Sequence, residues 1–162
     1  MSSLADLADD AVVEETPPPP IARMVVAVLA LAGLLISVYL TLYKLGYLGF
    51  IQCGAGGCEV VQSSQYAYFL GLPVALWGVG AYATLLALAL AGVQNAWADD
   101  RRLGLIILAV ATIGVVFSAY LTYLEAAVIR AWCRWCVVSA VLITLIFFAA
   151  LVDVRRSRTL AP

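Results

Sequence analysis

Charged residues are scarce in this sequence, and histidine is absent. Charged side chains make up 12% of the 162 residues and hydrophobic ones 65%, with a mean hydropathy of +1.03. Soluble domains carry about 25% charged residues, and a domain of this length has too little interior to bury the apolar excess. The net charge of -1, with no basic block, gives no electrostatic basis for binding nucleic acid. The composition therefore excludes an ordinary soluble domain, a disordered chain and a nucleic-acid-binding protein, and it indicates a protein of the lipid bilayer.

Long uncharged runs predict the membrane spans. Four runs lack Asp, Glu, Lys and Arg: residues 24–43, 60–98, 103–124 and 135–152. A helix needs about 20 apolar residues to cross the hydrocarbon core, so three runs fit one span each, and the second holds one span after a polar start. We therefore predict an all-α integral membrane protein, a four-transmembrane-helix bundle. The predicted spans are about 24–45, 73–93, 103–126 and 134–152.

The charges outside the spans predict the orientation. Basic residues are more frequent on the side that holds both termini, which the positive-inside rule assigns to the cytoplasm. Residues 1–23 are acidic and proline-containing and predict a disordered cytoplasmic tail, and residues 153–162 predict a basic one. Residues 24–152 are the predicted membrane domain of a multi-pass protein of the cell membrane. Its extracytoplasmic side then carries a loop at about 46–72 and a short link at about 127–133.

All four cysteines lie on or beside these two outward segments. Cys53 and Cys58 form a C-x4-C pair in a glycine-rich loop, where the chain can bend freely. Cys133 and Cys136 form C-x-x-C at the start of the fourth span, where the helix dipole and two nearby arginines favour a thiolate. In a four-helix bundle both pairs share one rim, so thiol–disulfide exchange between them is feasible. A lipid-soluble quinone is the natural acceptor at that place.

Other interpretations of the cysteines stay open at this point. Inert packing thiols are common in apolar helices, but they do not explain four cysteines at one interface. A zinc site of four cysteines is disfavoured by the oxidising compartment, and we predict no metal. A transporter would need a polar residue deep in a span. The main alternative to a redox enzyme is therefore a structural or assembly membrane protein with two static disulfides.

At these residues the sequence resembles the vitamin K epoxide reductase family, in its bacterial quinone-linked branch. The matching pieces are CGAGGCEVVQSS, GLPVALWGVGAY, FSAYLTYLE and CRWC, in that order, across about residues 24–152. The resemblance implies a short re-entrant helix after the first span. It implies a membrane thiol oxidoreductase that passes electrons from a thioredoxin-like extracytoplasmic protein to ubiquinone or menaquinone, and so drives disulfide formation in exported proteins. We expect a separate partner of the DsbA type, because only a short tail follows the last span.

The resemblance also implies a role for each cysteine. Cys53 would exchange with the partner, and Cys58 would pair transiently with Cys133. Cys136 would face the quinone and form the oxidised centre with Cys133. The implied quinone-pocket residues are Ser64, Val74, Trp77, Tyr82 and Leu121, with Ser118 and Tyr120 near the last of them on the third helix.

Three further residues near the site carry expectations of their own. Ser63, with its neighbour Ser64, would begin the re-entrant helix. Val74 replaces an Asn that some family members carry, which favours a simple quinone over an epoxide as acceptor. Glu125 lies close enough to the outer end of its span to reach water or to pair with Arg130, and we expect such a structural pairing in preference to proton delivery.

Overall fold

The structure, a computed structural model, describes residues 21–54, 57–94 and 100–159. Within these residues, four helices are long and apolar enough to cross a membrane. In chain order the helices are α1 (Ile21–Lys44), the short α2 (Cys58–Ser63), α3 (Val74–Val93), α4 (Arg101–Tyr123) and α5 (Arg134–Thr159). The strands described are two residues long each, β1 (Tyr68–Phe69) and β2 (Leu72–Pro73). The prediction of an all-α membrane bundle is confirmed.

The four long helices pack as a ring in the order α3, α1, α5, α4. Helices α3 and α4 complete this ring with the least contact, which leaves a seam between them. Helix α1 approaches α3 closely because small residues face each other: a Cβ on Gly78 would lie 2.7 Å from Ser37 Oγ. The centre of the bundle is filled by interlocked apolar side chains, which include Val26, Ala30, Leu85, Ala89, Ile107, Ala111 and Ile146.

The outer helices extend farther than the predicted spans. Helix α1 begins at Ile21 and α5 continues to Thr159. The sequence had predicted that residues 1–23 and 153–162 form tails outside the membrane domain. The cause is a buried ion pair: Arg23 Nε lies 3.0 Å from Asp153 Oδ2, and the Arg23 side chain is 1% exposed. Each charge neutralises the other inside the protein, so both residues continue helices instead of ending them. The rest of the predicted tails, residues 1–20 and 160–162, lies outside the described residues.

The ion pair is part of a polar cluster that ties the helix ends together. Arg23 Nη1 donates to the carbonyl of Gly92 at 3.1 Å, and Nη2 donates to the carbonyl of Asp100 at 3.1 Å. Gly92 makes room for the guanidinium, since a Cβ there would lie 2.8 Å from Arg23 Cδ. We call Arg23, Asp153 and these two carbonyls the polar clamp. The clamp joins α1, α3, α5 and the start of α4.

The segment between α1 and α3 folds over the other end of the bundle. Helix α2 begins at Cys58, and a 3-10 turn and the β1–β2 hairpin follow it. The hairpin turn uses positive φ angles at Leu70 (52°) and Gly71 (79°). The expectation that Ser63 and Ser64 begin the short helix is wrong: Ser63 is its last residue, and Ser64 Oγ donates to the carbonyl of Val61 at 2.7 Å. Serine hydroxyls compete for backbone partners, which suits a helix end.

Candidate functional site

The loop cysteines are joined in a disulfide. Cys53 and Cys58 pair across a Cα–Cα distance of 6.1 Å, while Cys133 and Cys136 are free thiols. The disulfide implied for the oxidised Cys133–Cys136 centre is therefore not formed in this structure. The arrangement is an oxidised loop pair beside a reduced helix pair. Because the disulfide occupies two of the four sulfurs, a tetrahedral site of four thiolates cannot form in this state.

Aromatic residues of two helices hold the loop in place. The backbone N–H of Gln52 donates to Tyr39 Oη on α1, and Trp135 Nε1 on α5 donates to the carbonyl of Gln52, each at 3.0 Å. The rings of Tyr39 and Trp135 also contact each other, with centroids 5.4 Å apart. The residue before Cys53 is thus attached to both α1 and α5. Sequence reasoning missed Tyr39 and Gln52, because nothing in their spacing indicates this contact.

The loop brings its disulfide against the C-x-x-C segment. A Cβ on Gly57 would lie 2.7 Å from Ala131 Cβ and 3.6 Å from the backbone nitrogen of Trp132, so only glycine allows this approach. Cys58 and Cys133 are both fully buried in one apolar cluster. Cys53 is a member of that cluster and Cys136 packs against it. The structure therefore brings all four cysteines together at one end of the bundle.

Cys133 is the thiol of its pair that ionises more readily. It directly precedes α5, and its sulfur accepts the backbone N–H of Cys136 at 3.4 Å. A hydrogen bond from the Cys136 thiol is the main cause that lowers the pKa of Cys133 below its ordinary value, and burial opposes it. The sequence predicted an ionised thiol at this helix start, from the helix dipole and two nearby arginines. The groups that lower this pKa are the Cys136 thiol and the backbone N–H groups at the start of α5, whereas Arg130 and Arg134 are exposed and do not contribute.

Glu125 is buried beside these two thiols. Its side chain is 4% exposed, and Oε2 accepts the backbone N–H of Cys133 at 3.0 Å. One of its oxygens and the two sulfurs all lie within 4.8 Å of one another, so the carboxylate is a neighbour of the Cys136 thiol. The expectation that Glu125 reaches water or pairs with Arg130 is wrong. Among the described residues, Arg130 is exposed and gives Glu125 only a backbone N–H, donated to its carbonyl.

A local change of helix type turns Glu125 inward. Helix α4 passes into a π-helix at Leu124–Ile129, which ends at Arg130 in the left-handed conformation with φ 56°. The wider π turn shifts the register of the side chains, so an acid at the end of a span points to the centre of the bundle. π-helical turns are rare and occur often at functional sites. The sequence carries no signal of this turn, and it predicted ordinary helix up to about residue 126.

A cavity of about 440 Å³ lies beside Cys136 and Glu125. Its walls come mainly from α3 and α4, at the seam where these helices contact each other least. Its lining is mostly apolar. The sequence-predicted pocket residues Ser64, Val74, Trp77, Tyr82 and Leu121 all line it, together with Ser118. Tyr120 does not line it and is 50% exposed instead.

Hydrogen bonds and ring contacts fix the walls of the cavity. Trp77 Nε1 donates to the carbonyl of Phe69 at 3.1 Å, and the Phe69 ring packs edge-on against Phe117 at 5.4 Å. The hairpin thereby joins α3 to α4 beside the cavity. At the inner side, the Tyr82 hydroxyl donates to the carbonyl of Ser139 at 2.9 Å, so this tyrosine links α3 to α5. The cavity is a formed space with fixed walls.

The segment that contains this site matches a known protein family. The family model described as the vitamin K epoxide reductase family matches residues 24–151. The matched segment contains both cysteine pairs, Glu125 and the residues of the cavity wall. Members of this family are membrane oxidoreductases that act on thiols, and a disulfide beside two free thiols fits that chemistry. The chain belongs to the vitamin K epoxide reductase family.

Proposed function

We propose that this protein passes electrons from a separate thioredoxin-like protein of the DsbA type to a membrane quinone. The electrons would travel through Cys53 and Cys58 and then through Cys133 and Cys136. The net result is disulfide formation in exported proteins. One observation carries this proposal: the reduced Cys136 lies on the wall of an apolar cavity, while the oxidised loop pair is packed against the same centre.

The first transfer runs from the loop to the helix pair. After the partner's thiols reduce Cys53 and Cys58, the Cys58 thiolate attacks Cys133 in the oxidised centre, and the Cys136 thiolate leaves. Cys53 then attacks Cys58 and releases Cys133. The products are a Cys53–Cys58 disulfide and a reduced pair, which is the arrangement of the structure. The burial of Cys58 and Cys133 in one cluster supports direct contact between them.

The second transfer leaves the protein through the cavity. Cys133 and Cys136 close their disulfide and give up two electrons and two protons, which convert a quinone to a hydroquinone. The cavity volume lies within the roughly 300–1,000 Å³ typical of small-molecule sites, and its walls are mostly apolar. Because the seam between α3 and α4 lies between two membrane-crossing helices, a lipid-soluble acceptor has access to it. Ubiquinone and menaquinone both suit this site, and Val74 offers no polar contact to an epoxide.

The proposed orientation follows from the charges. The cysteine end carries Lys44, Arg130 and Arg134, and the other end carries more basic residues. These are Arg23, Arg101, Arg102, Arg155, Arg156 and Arg158. The positive-inside rule then assigns both termini to the cytoplasm and the cysteines to the extracytoplasmic side, where a DsbA-type partner acts.

Quinone absorbance tests this proposal. The full chain in nanodiscs is mixed with reduced DsbA-type protein and a short-chain ubiquinone. We expect quinone loss with the wild type and with Val138→Ala, which alters an exposed side chain of α5 outside the cavity. Cys53→Ser and Cys136→Ser should each abolish it. Suppose that neither the wild type nor any variant consumes quinone, and that the cysteine variants differ from the wild type only in protein abundance. A structural protein with static disulfides is then the correct interpretation.

A further inference from the structure

Glu125 is placed to serve the chemistry of the helix thiols. Of the residues that line the cavity within the described chain, it is the only carboxylic acid, and no lysine or arginine accompanies it. The other titratable groups that line the cavity are Cys136, Tyr66 and Tyr82. Cys133 does not line the cavity, but its backbone N–H donates to the Glu125 carboxylate. A carboxylic acid is costly to keep in such an apolar place unless a polar group or a function accounts for it.

The proposed reaction needs a proton carrier at this position. Closing the Cys133–Cys136 disulfide removes a proton from Cys136, because Cys133 is the thiol that ionises first. The quinone oxygen must gain a proton as it accepts electrons. Both events occur next to a mostly apolar cavity, whose walls offer few other proton-carrying groups. A Glu125 carboxylate oxygen lies within 4.8 Å of the Cys136 sulfur, and Glu125 also lines the cavity, so it is close to both ends of the transfer.

We propose that Glu125 is the acid–base residue that takes the Cys136 proton when the disulfide forms and passes a proton to the acceptor in the cavity. This role rests on the proposed function. The two sulfurs lose two electrons and form one S–S bond, and the quinone gains these electrons. One proton reaches it from Cys136 by way of Glu125. The second replaces the proton that Cys133 lost on ionisation and comes from solvent, so one dithiol and one quinone give one disulfide and one hydroquinone.

The substitution Glu125→Gln separates proton transfer from positioning. A glutamine oxygen still accepts the backbone N–H of Cys133, so the start of α5 keeps its hydrogen bond. The amide cannot take up or release a proton in this range of pH. Glu125→Asp keeps the acid but shortens its reach. Glu59→Gln is the matched control, because Glu59 is an exposed acid on α2 that does not line the cavity.

Single-turnover kinetics provide the test. Fully reduced protein in nanodiscs is mixed anaerobically with a short-chain ubiquinone from pH 5.5 to 9, and quinone absorbance is followed. We expect Glu125→Gln to slow quinone reduction by about 10²-fold at neutral pH, the usual contribution of a general acid–base group. Its rate should rise steadily with pH, because solvent must then remove the Cys136 proton. The wild type and Glu59→Gln should share a flatter profile, and Glu125→Asp should recover part of the rate.

A second oxidant separates this role from the identity of the acceptor. Diamide, a small diazene, takes two electrons and two protons from a dithiol and needs no quinone. Closure of Cys133–Cys136 by diamide, followed by mass spectrometry, should show the same slowing and the same altered pH profile in Glu125→Gln. If Glu125→Gln slows the reaction with diamide while the wild type does not reduce quinone, the quinone proposal fails and the role of Glu125 stands. If Glu125→Gln matches the wild type in rate and profile with both oxidants, the role of Glu125 is wrong.

Discussion

The two ends of the bundle hold buried polar groups in opposite ways. At one end, the polar clamp surrounds the Arg23 guanidinium with a carboxylate and two carbonyls. At the other end, a carboxylate oxygen of Glu125 and the sulfurs of Cys133 and Cys136 lie within 4.8 Å of one another beside a cavity, with no cationic side chain among the described residues that line it. The clamp stabilises one arrangement of the helices. The cysteine end retains groups that can change partner.

This difference explains how one small membrane domain can be both stable and reactive. Removing one member of a buried ion pair leaves an uncompensated charge, which is strongly destabilising. The clamp thus fixes the helix ends far from the chemistry. The thiols lie at the opposite end of the bundle, so we expect their oxidation and reduction to leave the clamp unchanged. Changes at the two ends should therefore affect different measurements.

The largest expected effect is on catalysis, from Cys58→Ser. This change removes the buried sulfur that links the loop to Cys133, so quinone reduction driven by the DsbA-type partner should fall to background. Dithiothreitol is small enough to reduce the helix pair without the loop, so quinone reduction driven by it should be largely retained. The rate of quinone loss, followed by absorbance with each reductant, measures this difference. Equal loss with both reductants would contradict a relay through Cys58.

The next effect is on stability, from Arg23→Met. Asp153 then loses the Arg23 guanidinium, and the carbonyls of Gly92 and Asp100 lose their buried donor, which we expect to lower the free energy of unfolding by about 3–5 kcal/mol. Arg101→Met is the control, because Arg101 is an exposed basic residue near the same end. Thermal unfolding in detergent measures the difference. The quinone activity of the protein that remains folded should be unchanged, and a selective loss of that activity would contradict the separation of the two ends.

A smaller loss of stability is expected from Gly33→Ala. An added Cβ would overlap the ring of Tyr82, which must then move from its hydrogen bond with Ser139. Overpacking of this kind costs about 1–3 kcal/mol. Gly80→Ala is the opposite control, since nothing lies within 4 Å of that position and the helix gains roughly 0.5–1 kcal/mol. Thermal unfolding of the two variants should therefore move in opposite directions. No loss of stability in Gly33→Ala would show that Gly33 is not needed for helix packing.

The smallest effect is on the ionisation of Cys133. The Cys136 thiol is the main group that lowers the pKa of Cys133, so Cys136→Ala should raise it. A lowered pKa keeps the thiolate present at lower pH, so loss of this hydrogen bond should move the midpoint of alkylation to higher pH. Iodoacetamide labelling of Cys133 at each pH, measured by peptide mass spectrometry, gives this midpoint. Val138→Ala should leave it in place, and no shift in Cys136→Ala would assign the effect to the helix end alone.

The sequence was informative where local composition decides the structure. Uncharged runs of helical length predicted the bundle, and the placement of Cys53, Cys58, Cys133 and Cys136 predicted that they meet at one end. The predicted pocket residues came from the family resemblance, and they line one cavity. The polar clamp was missed because Arg23 and Asp153 are 130 residues apart in the sequence. Each charge, taken alone, indicates the end of a membrane span. The position of Glu125 depends on a π turn, which no spacing of residues indicates.

The order in which the two disulfides form tests the central claim, that the helix pair delivers electrons to an acceptor in the cavity. Fully reduced protein is mixed anaerobically with one equivalent of short-chain ubiquinone, quenched with acid at successive times, and mapped by mass spectrometry while quinone absorbance is followed. The Cys133–Cys136 disulfide should form together with quinone loss, and the Cys53–Cys58 disulfide should replace it afterwards. If quinone is consumed while only the loop disulfide forms, and Cys136→Ser does not prevent this, the claim is contradicted.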